Sequence, residues 1–479
     1  MKNFLLLLVC LQTLFARGER PNVLFICIDD LRPQLKCYGE EIMVTPNLDE
    51  LAATGRLFRN HYVQVPTCGA SRFALWSGRR PSKSGGIGNS AFGSLPKTET
   101  VAAHTLPQLL RKNGYYTASI GKVSHSPDGK VYPYGGDGNG PPEMPFSWDE
   151  YSMPLGKWGT GWDTFFAYAD GTSRTQRQKE KRPWPPMEMH DGDDKSYPDG
   201  WIAEAAVARL AELKAQEKPF FYAVGFFKPH LPFNAPKKYW DLYDRSKIAL
   251  SPAPVKPEGI NPASWHSSGE MFKYAHTSDM PKLDLEHLRA LRHAYFACVS
   301  YTDAQVGKLL TALDEQGLRE NTIVVVWGDH GWHLGDQAVW GKHTIFDRAL
   351  KSAFIVRTPG MKQPGIATEG LIESLDIYPS IAELCAAPAP PGLTGRSFVR
   401  LLDNPAIPGK NGAFGYWKNG GRTLRTGDWR ITEYQKGRPA VELYHHTDDP
   451  YEMHNVAAKY PEQVQQLLKQ LHADQPEYE

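Results

Sequence analysis

The chain has 479 residues, 41% hydrophobic and 22% charged, with a formal net charge of +1. A chain of this length buries a large core unaided, and its near-zero charge provides no electrostatic footprint for nucleic acid. Six dispersed cysteines (Cys10, Cys27, Cys37, Cys68, Cys298, Cys385) with no Cys-x-x-Cys spacing argue against a zinc-thiolate site or a dense disulfide framework.

The N-terminus carries Lys2, an apolar run from Phe4 to Leu14, and small residues at Ala16 and Gly18. This pattern predicts a secretory signal peptide over residues 1–18 and a secreted or periplasmic mature protein. The run is too short for a stable membrane-spanning helix, and no later stretch approaches one. Five cysteines then remain, an odd number that asks what one unpaired thiol is for.

Along the chain, short continuous β-branched or aromatic runs read as buried parallel strands. Val23 to Ile28 leads into Asp29-Asp30, and Tyr115 to Ile120 leads into Gly121-Lys122 with His125 close behind. Phe220 to Phe227 leads into Lys228-Pro229-His230, Thr322 to Trp327 into Gly328-Asp329-His330, and Ala353 to Val356 into Arg357-Thr358-Pro359-Gly360. Helices are predicted between them. Thr45, Pro46 and Gly55 cap and close one, and Leu106 to Lys112 ends a second at Asn113-Gly114. A third covers 202–216, and an apolar stripe from Leu288 to Leu309 marks a long fourth. Alternation of this kind predicts an α/β fold, a large mixed and mostly parallel sheet sandwiched by helices.

The catalytic α/β domain is expected over 19–405, with 126–200 (rich in Gly, Pro and Trp) an irregular excursion. Residues 406–479 read as a C-terminal α+β subdomain, with short antiparallel strands at 423–426, 429–434 and 442–444 and a helix near Pro461 to His472.

Ligands of open parallel sheets bind beyond the carboxyl ends of the strands. Four strands deliver ionisable residues there: Asp29-Asp30, Lys122 with His125, His230, and Asp329-His330. Adjacent carboxylates repel unless a cation holds them, and Asp29, Asp30 and Asp329 make a hard oxygen set suited to Ca²⁺ or Mg²⁺. Between these segments lies Cys68-Gly69-Ala70-Ser71-Arg72, followed by Ser77-Gly78-Arg79. A helix starting at Cys68 brings Arg72 onto the same face, a setting that favours a bound anion.

Cys68-Gly69-Ala70-Ser71-Arg72 with the Ser-Gly-Arg triplet resembles the signature of the type I (formylglycine-dependent) sulfatases. Matching segments cover nearly the whole mature chain: Pro21-Asn22-Val23 through Asp29-Asp30, Thr45-Pro46-Asn47-Leu48-Asp49, Gly121 to His125, Lys228 to Phe233, Asp329-His330-Gly331 with Leu334-Gly335, and Lys342. The Lys-Pro-His version is most similar to the iduronate-2-sulfatase-like branch. Two positions depart from the common pattern: Ala70 stands where many relatives have Pro, and Trp76-Ser77-Gly78 where Leu-Thr-Gly is usual.

The resemblance implies an alkaline-phosphatase/sulfatase-like fold and a maturating (formylglycine-generating) enzyme that oxidises Cys68 to formylglycine. It further implies one Ca²⁺, with Mg²⁺ the lesser choice, held by Asp29, Asp30, residue 68, Asp329 and His330. Arg72 would stabilise the aldehyde hydrate, and Lys122 and Lys342 would neutralise sulfate oxygens. His125 would take the hydrate proton, and His230 or Lys342 would protonate the leaving alcohol. The substrate implied is a sulfated carbohydrate, a uronic acid or related polysaccharide residue. Two alternatives stand beside this: a phosphoesterase or phosphonate monoester hydrolase on the same scaffold, and a catalytically silent carbohydrate-binding relative. Trp158, Trp162 and Trp184 are expected under the excursion as core residues rather than as sugar platforms, and His333 and His343 near enough to touch substrate.

Overall fold

Runs of apolar residues bounded by turn formers fold as strands where the sequence places them. The computed structural model describes residues 20–82, 85–274 and 284–473, so the expected signal peptide lies outside the described residues. Seven strands form the central sheet: β1 (Asn22–Ile28), β2 (Arg56–Leu57), β3 (Tyr116–Gly121), β4 (Glu150–Ser152), β5 (Phe220–Phe226), β6 (Thr322–Gly328) and β7 (Phe354–Arg357). Their order across the sheet is β2-β7-β6-β1-β5-β3-β4. β1 is central and parallel to both neighbours, with Phe25 level with Ala223 on one side and Val325 on the other.

The period of two along β1 sends its side chains into two cores. Leu24, Ile26 and Ile28 pack with helices α1 (Pro46–Thr54), through Leu48 and Leu51; α4 (Pro198–Lys214), through Ile202 and Leu210; and α5 (Leu285–Glu315), through Leu291 and Val299. Val23, Phe25 and Cys27 face the other layer. There they meet α2 (Cys68–Ser77) through Leu75 and Trp76, α3 (Leu106–Lys112) through Leu106 and Leu110, and α6 (Ile377–Leu384) through Ile377 and Ile381. All of the β1 side chains from Val23 to Ile28 are fully buried. At about 1.5–3 kcal/mol for each large apolar side chain, this burial fixes the strand's register and hence where Asp29 and Asp30 emerge.

One strand expected to be parallel is not. β7 runs antiparallel to β6, with Ile355 opposite Val326. A parallel return requires a crossover back to the starting edge. The intervening chain instead stays at the carboxyl edge of β6, forming the small hairpin of His333–Leu334 with Trp340–Gly341, and re-enters from there.

The C-terminal segment forms a second, four-stranded antiparallel sheet, β8 (Ala413–Trp417), β9 (Gly421–Arg425), β10 (Trp429–Tyr434) and β11 (Val441–His445), covered by α7 (Pro461–Ala473). The strand β8 adds to the three the sequence suggested. Leu467 and Leu471 of α7 share one core with Phe414, Leu424, Ile431 and Leu443, and that core also takes in Val65 and Ala70. The small sheet therefore buttresses the segment that carries Cys68. Cys27, Cys37, Cys68, Cys298 and Cys385 are all free thiols. Among the described residues no helix is long and apolar enough to cross a membrane.

Candidate active site

α2 begins at Cys68 and ends at Gly78, whose positive φ of 64° suits glycine. Asn89 organises its first turn, its Oδ1 accepting from Thr67 Oγ1 (3.0 Å) and from the Gly69 amide (3.1 Å). A Cβ at position 69 would lie 2.5 Å from the Asn89 backbone, so only glycine allows this approach. Ser71 donates to the Asp329 carbonyl, which ties the helix to the end of β6.

The strand ends converge on Cys68. One ligand atom from each of Asp29, Asp30, Cys68 and His330 lies within 4.8 Å of the others, and all four residues are buried. Cys68 Sγ is 3.4 Å from His330 Nε2 and 3.3 Å from Lys342 Nζ. Lys342 also donates to Asp30 Oδ1 at 2.8 Å, and Lys122 to Asp29 Oδ2 at 2.5 Å.

Asp329 stands at the margin of this group. Its Oδ1 accepts from the Asp30 amide (2.9 Å) and lies 3.7 Å from His330 Nε2, while its Oδ2 accepts from Arg72 Nε (3.0 Å). Arg72 is fully buried, reaches Asp29 Oδ1 at 3.2 Å, and bonds the Lys122 carbonyl. It thus grips two carboxylates from beneath instead of facing the cleft.

Each ionisation follows from its surroundings. Burial opposes charge on Asp29, but Lys122 and Arg72 outweigh it and hold this carboxyl well below the usual range. For Asp30 burial wins over Lys342 and the value is raised. Burial, reinforced by Asp29, pushes the Cys68 thiol well above its ordinary value. Burial also lowers His330 to about 4. Its Nδ1 faces the Gly331 carbonyl at 2.9 Å and so carries the proton, leaving the Nε2 lone pair toward Asp30 and Cys68.

These donors fit a hard divalent cation. Asp30 Oδ2 is buried with no hydrogen-bond partner, an orphaned carboxylate oxygen beside a second carboxylate and an imidazole lone pair. Tyr295 OH donates to the Asp30 carbonyl at 2.7 Å and holds this residue at its positive φ of 58°.

Above the cluster opens a cleft of about 560 Å³, whose lining includes Cys68, Lys122, His125, His230 and Lys342. Nδ1 of His125 has no partner, its ring sits edge-on to Trp162 at 5.5 Å, and burial together with Lys122 lowers its affinity for a proton well below the usual. His230 donates from Nδ1 to the Leu231 carbonyl (2.6 Å), so Nε2 points toward Asp30 Oδ2 (3.9 Å) and Glu270 Oε1 (3.4 Å).

The loop that presents His230 is braced from within. Asp199 accepts from the amides of Phe227 and Lys228, and the buried Lys228 ammonium donates to the carbonyls of His230 (3.0 Å) and Pro232 (2.5 Å). Substituting Lys228→Met leaves the His230 carbonyl without a donor, while that of Pro232 keeps only the Asn234 amide (2.9 Å). The expected cost is about 1–3 kcal/mol of stability, read by denaturant unfolding, with a fall in kcat as His230 loses its fixed position. Unchanged stability and kcat would remove Lys228 from this role.

The structure also places residues that sequence motifs did not single out. Glu270 lies in the cleft, 3.4 Å from His230 Nε2 and 3.9 Å from Lys342 Nζ, and the Lys342 ammonium together with the hydrogen bond to His230 holds its carboxyl well below the usual range against the effect of burial. Phe165 lies under Lys122 Nζ at 4.0 Å. Trp158 and Trp162 are buried, as expected, Trp162 within the main core while also lining the cleft, and Trp184 packs on Tyr274. His343 also lines it, stacked on Trp417 at 5.1 Å, while His333 turns inward to Thr344.

Comparison with known proteins bears on this arrangement. The family model described as Sulfatase matches residues 21–387, and that described as N-sulphoglucosamine sulphohydrolase, C-terminal, matches residues 328–477. Human iduronate 2-sulfatase is 31% identical over 417 residues, covering 79% of this chain and 71% of its own. A sulfatase of Formosa agariphila is 29% identical over 485 residues, covering 96% and 89%. Among solved structures, the phosphonate monoester hydrolase of Agrobacterium radiobacter superposes with a TM-score of 0.75 at 21% identity, covering 95% of each chain, a likeness of fold. With the family model spanning most of its length and the iduronate 2-sulfatases among its relatives, this chain belongs to the type I sulfatases, the sulfuric ester hydrolases, on their iduronate-2-sulfatase-like branch.

Proposed function

We propose that this enzyme, exported after removal of residues 1–18, hydrolyses a sulfate ester on a sulfated carbohydrate, a uronic acid or related polysaccharide residue. In this reading a maturating enzyme oxidises Cys68 to formylglycine. Asp29, Asp30, Asp329 and His330, with residue 68, hold one divalent cation, Ca²⁺ in preference to Mg²⁺. The observation that carries the reading is the meeting of residue 68 with two carboxylates and an imidazole within 4.8 Å, on the floor of a cleft lined by Lys122 and Lys342.

The hydrated aldehyde has two hydroxyls on one carbon. One attacks sulfur and displaces the sugar alcohol; loss of the second proton then expels sulfate and regenerates the aldehyde. The bound cation supplies Lewis-acid polarisation, a contribution of several kcal/mol.

The side chains carry the rest. Lys122 and Lys342, which line the cleft together with residue 68, offer ammonium groups to sulfate oxygens as charge builds there. His125, kept neutral by burial and Lys122, is suited to accept the hydrate proton that releases sulfate. His230, through Nε2, or Lys342 would protonate the leaving oxygen. Arg72 holds Asp29 and Asp329 at fixed separation, so the hydrate is stabilised through the carboxylates that Arg72 orients.

Two measurements test this. A tryptic peptide spanning residue 68, from protein made with its maturase, is expected to carry an aldehyde in place of the thiol. An aryl sulfate is expected to be cleaved in preference to the matching aryl phosphate. Preference for the phosphate would replace this reading with a phosphoesterase, and sugar binding without sulfate release from any substrate would indicate a silent relative.

A further inference from the structure

The cleft holds more positive charge than one sulfate ester requires. Lys122 and Lys342 are committed to Asp29 and Asp30 at the floor. Farther out, Arg174, Lys273 and Lys418 also line the cleft. None of these three has a carboxylate within ion-pair distance among the described residues, and the one acid lining the cleft, Glu270, is engaged with His230 and Lys342.

Arg174 is the most firmly placed of the three. Its guanidinium lies 3.5 Å from the centre of the Phe166 ring and 5.5 Å from that of Tyr274, and Nη1 donates to the Tyr274 hydroxyl at 3.2 Å. Nε is buried and has no hydrogen-bond partner. The chain positions it as well: Ser173 caps the short helix Arg174–Lys179 in a capping box with Gln176, and Ser173 Oγ donates to Asp163 Oδ1 at 2.5 Å. A guanidinium held over an aromatic ring, with donors left over and no acid beside it among the described residues, is arranged to take an oxyanion from outside.

Resting on the sulfatase reading above, we infer that Arg174, supported by Lys273, binds a second anionic group of the substrate, so that the preferred substrate carries one oxyanion in addition to the sulfate being removed. A carboxylate and a second sulfate share the chemistry this site recognises.

The test uses full-length, aldehyde-bearing enzyme and three defined disaccharides that carry the same scissile sulfate. One is otherwise neutral, one adds a uronate carboxylate, and one adds a second sulfate. Wild type is expected to prefer at least one of the doubly anionic sugars over the neutral one in kcat/KM. Arg174→Gln should reduce that preference by about 10- to 100-fold, mainly through KM, in line with loss of a charge-assisted hydrogen bond. Arg174→Lys should restore part of it, and Lys273→Gln, a second variant in case the first fails to fold, should reduce it by a smaller factor. A loss confined to the uronate identifies a carboxylate, one confined to the disulfate a sulfate, and loss on both a site for either oxyanion. A wild type with no preference, or variants in which all three sugars change equally, would overturn the assignment. Absence of sulfate release by wild type from every sugar is a separate result and counts against the sulfatase reading itself.

Discussion

Replacing Cys68 by alanine is expected to lower sulfate release by about 10⁴-fold or more, because the covalent step rests on residue 68 and the aldehyde cannot form on alanine. The fold should survive, since the residue is small and α2 is held by Asn89, Ser71 and the apolar contacts of Ala70, Leu75 and Trp76. Cys68→Ser separates aldehyde-hydrate chemistry from simple nucleophilic catalysis. A serine hydroxyl can attack sulfur and displace the alcohol, but the resulting ester has no second hydroxyl with which to expel sulfate. This variant should therefore release one equivalent of alcohol and stop. Steady turnover by the alanine variant, read as free sulfate, would show that residue 68 is not the nucleophile, and steady turnover by the serine variant would show that a second hydroxyl is not needed to expel sulfate.

The second large effect concerns the acidic cluster. Asp30→Ala removes the carboxylate whose Oδ2 is buried without a partner, and should lower kcat/KM by about 10³-fold, the value of several kcal/mol of lost Lewis-acid stabilisation. A readout independent of activity accompanies it. Wild-type protein stripped with a chelator should gain about 2.7 kcal/mol of stability on adding Ca²⁺ at 100 times its dissociation constant, with Mg²⁺ giving less. In Asp30→Ala that gain should be absent. An equal gain in the variant would place the ion elsewhere.

The site is legible in the sequence to the extent that it hangs on buried strands. A short continuous apolar run rich in β-branched and aromatic residues, such as Val23 to Ile28, reads as a core strand, and the carboxyl end of such a strand delivers the next residues to the sheet edge. Local pattern alone therefore places Asp29, Lys122, His230 and Asp329. The helix at Cys68 is likewise readable from its spacing and terminal Gly78.

The features that escape such a reading have a common physical cause. Glu270 reaches the cleft from an irregular segment and Arg174 from the first residue of a six-residue helix, and neither offers a periodicity long enough to state which way a side chain points. The reversal of β7 depends on where residues 329–353 go, a tertiary question that the strand's own composition does not answer. The inward turn of Arg72 is similar: helical spacing puts it on the Cys68 face, but only the arrival of Asp29 and Asp329 from distant strands decides which partners its guanidinium takes. The core that Ala70 shares with Leu424 and Ile431 links the C-terminal sheet to the helix bearing residue 68, a relation invisible without both chain segments in place.

The most direct measurement is an anomalous-scattering map from crystals of the aldehyde-bearing protein grown with Ca²⁺ and inorganic sulfate. One calcium peak is expected within 2.3–2.6 Å of carboxylate oxygens of both Asp29 and Asp30, with a sulfate in contact with residue 68, Lys122 and Lys342. A calcium peak that misses these carboxylates, or a sulfate bound in the cleft away from residue 68, would contradict the shared grip of cation and residue 68 on one ester.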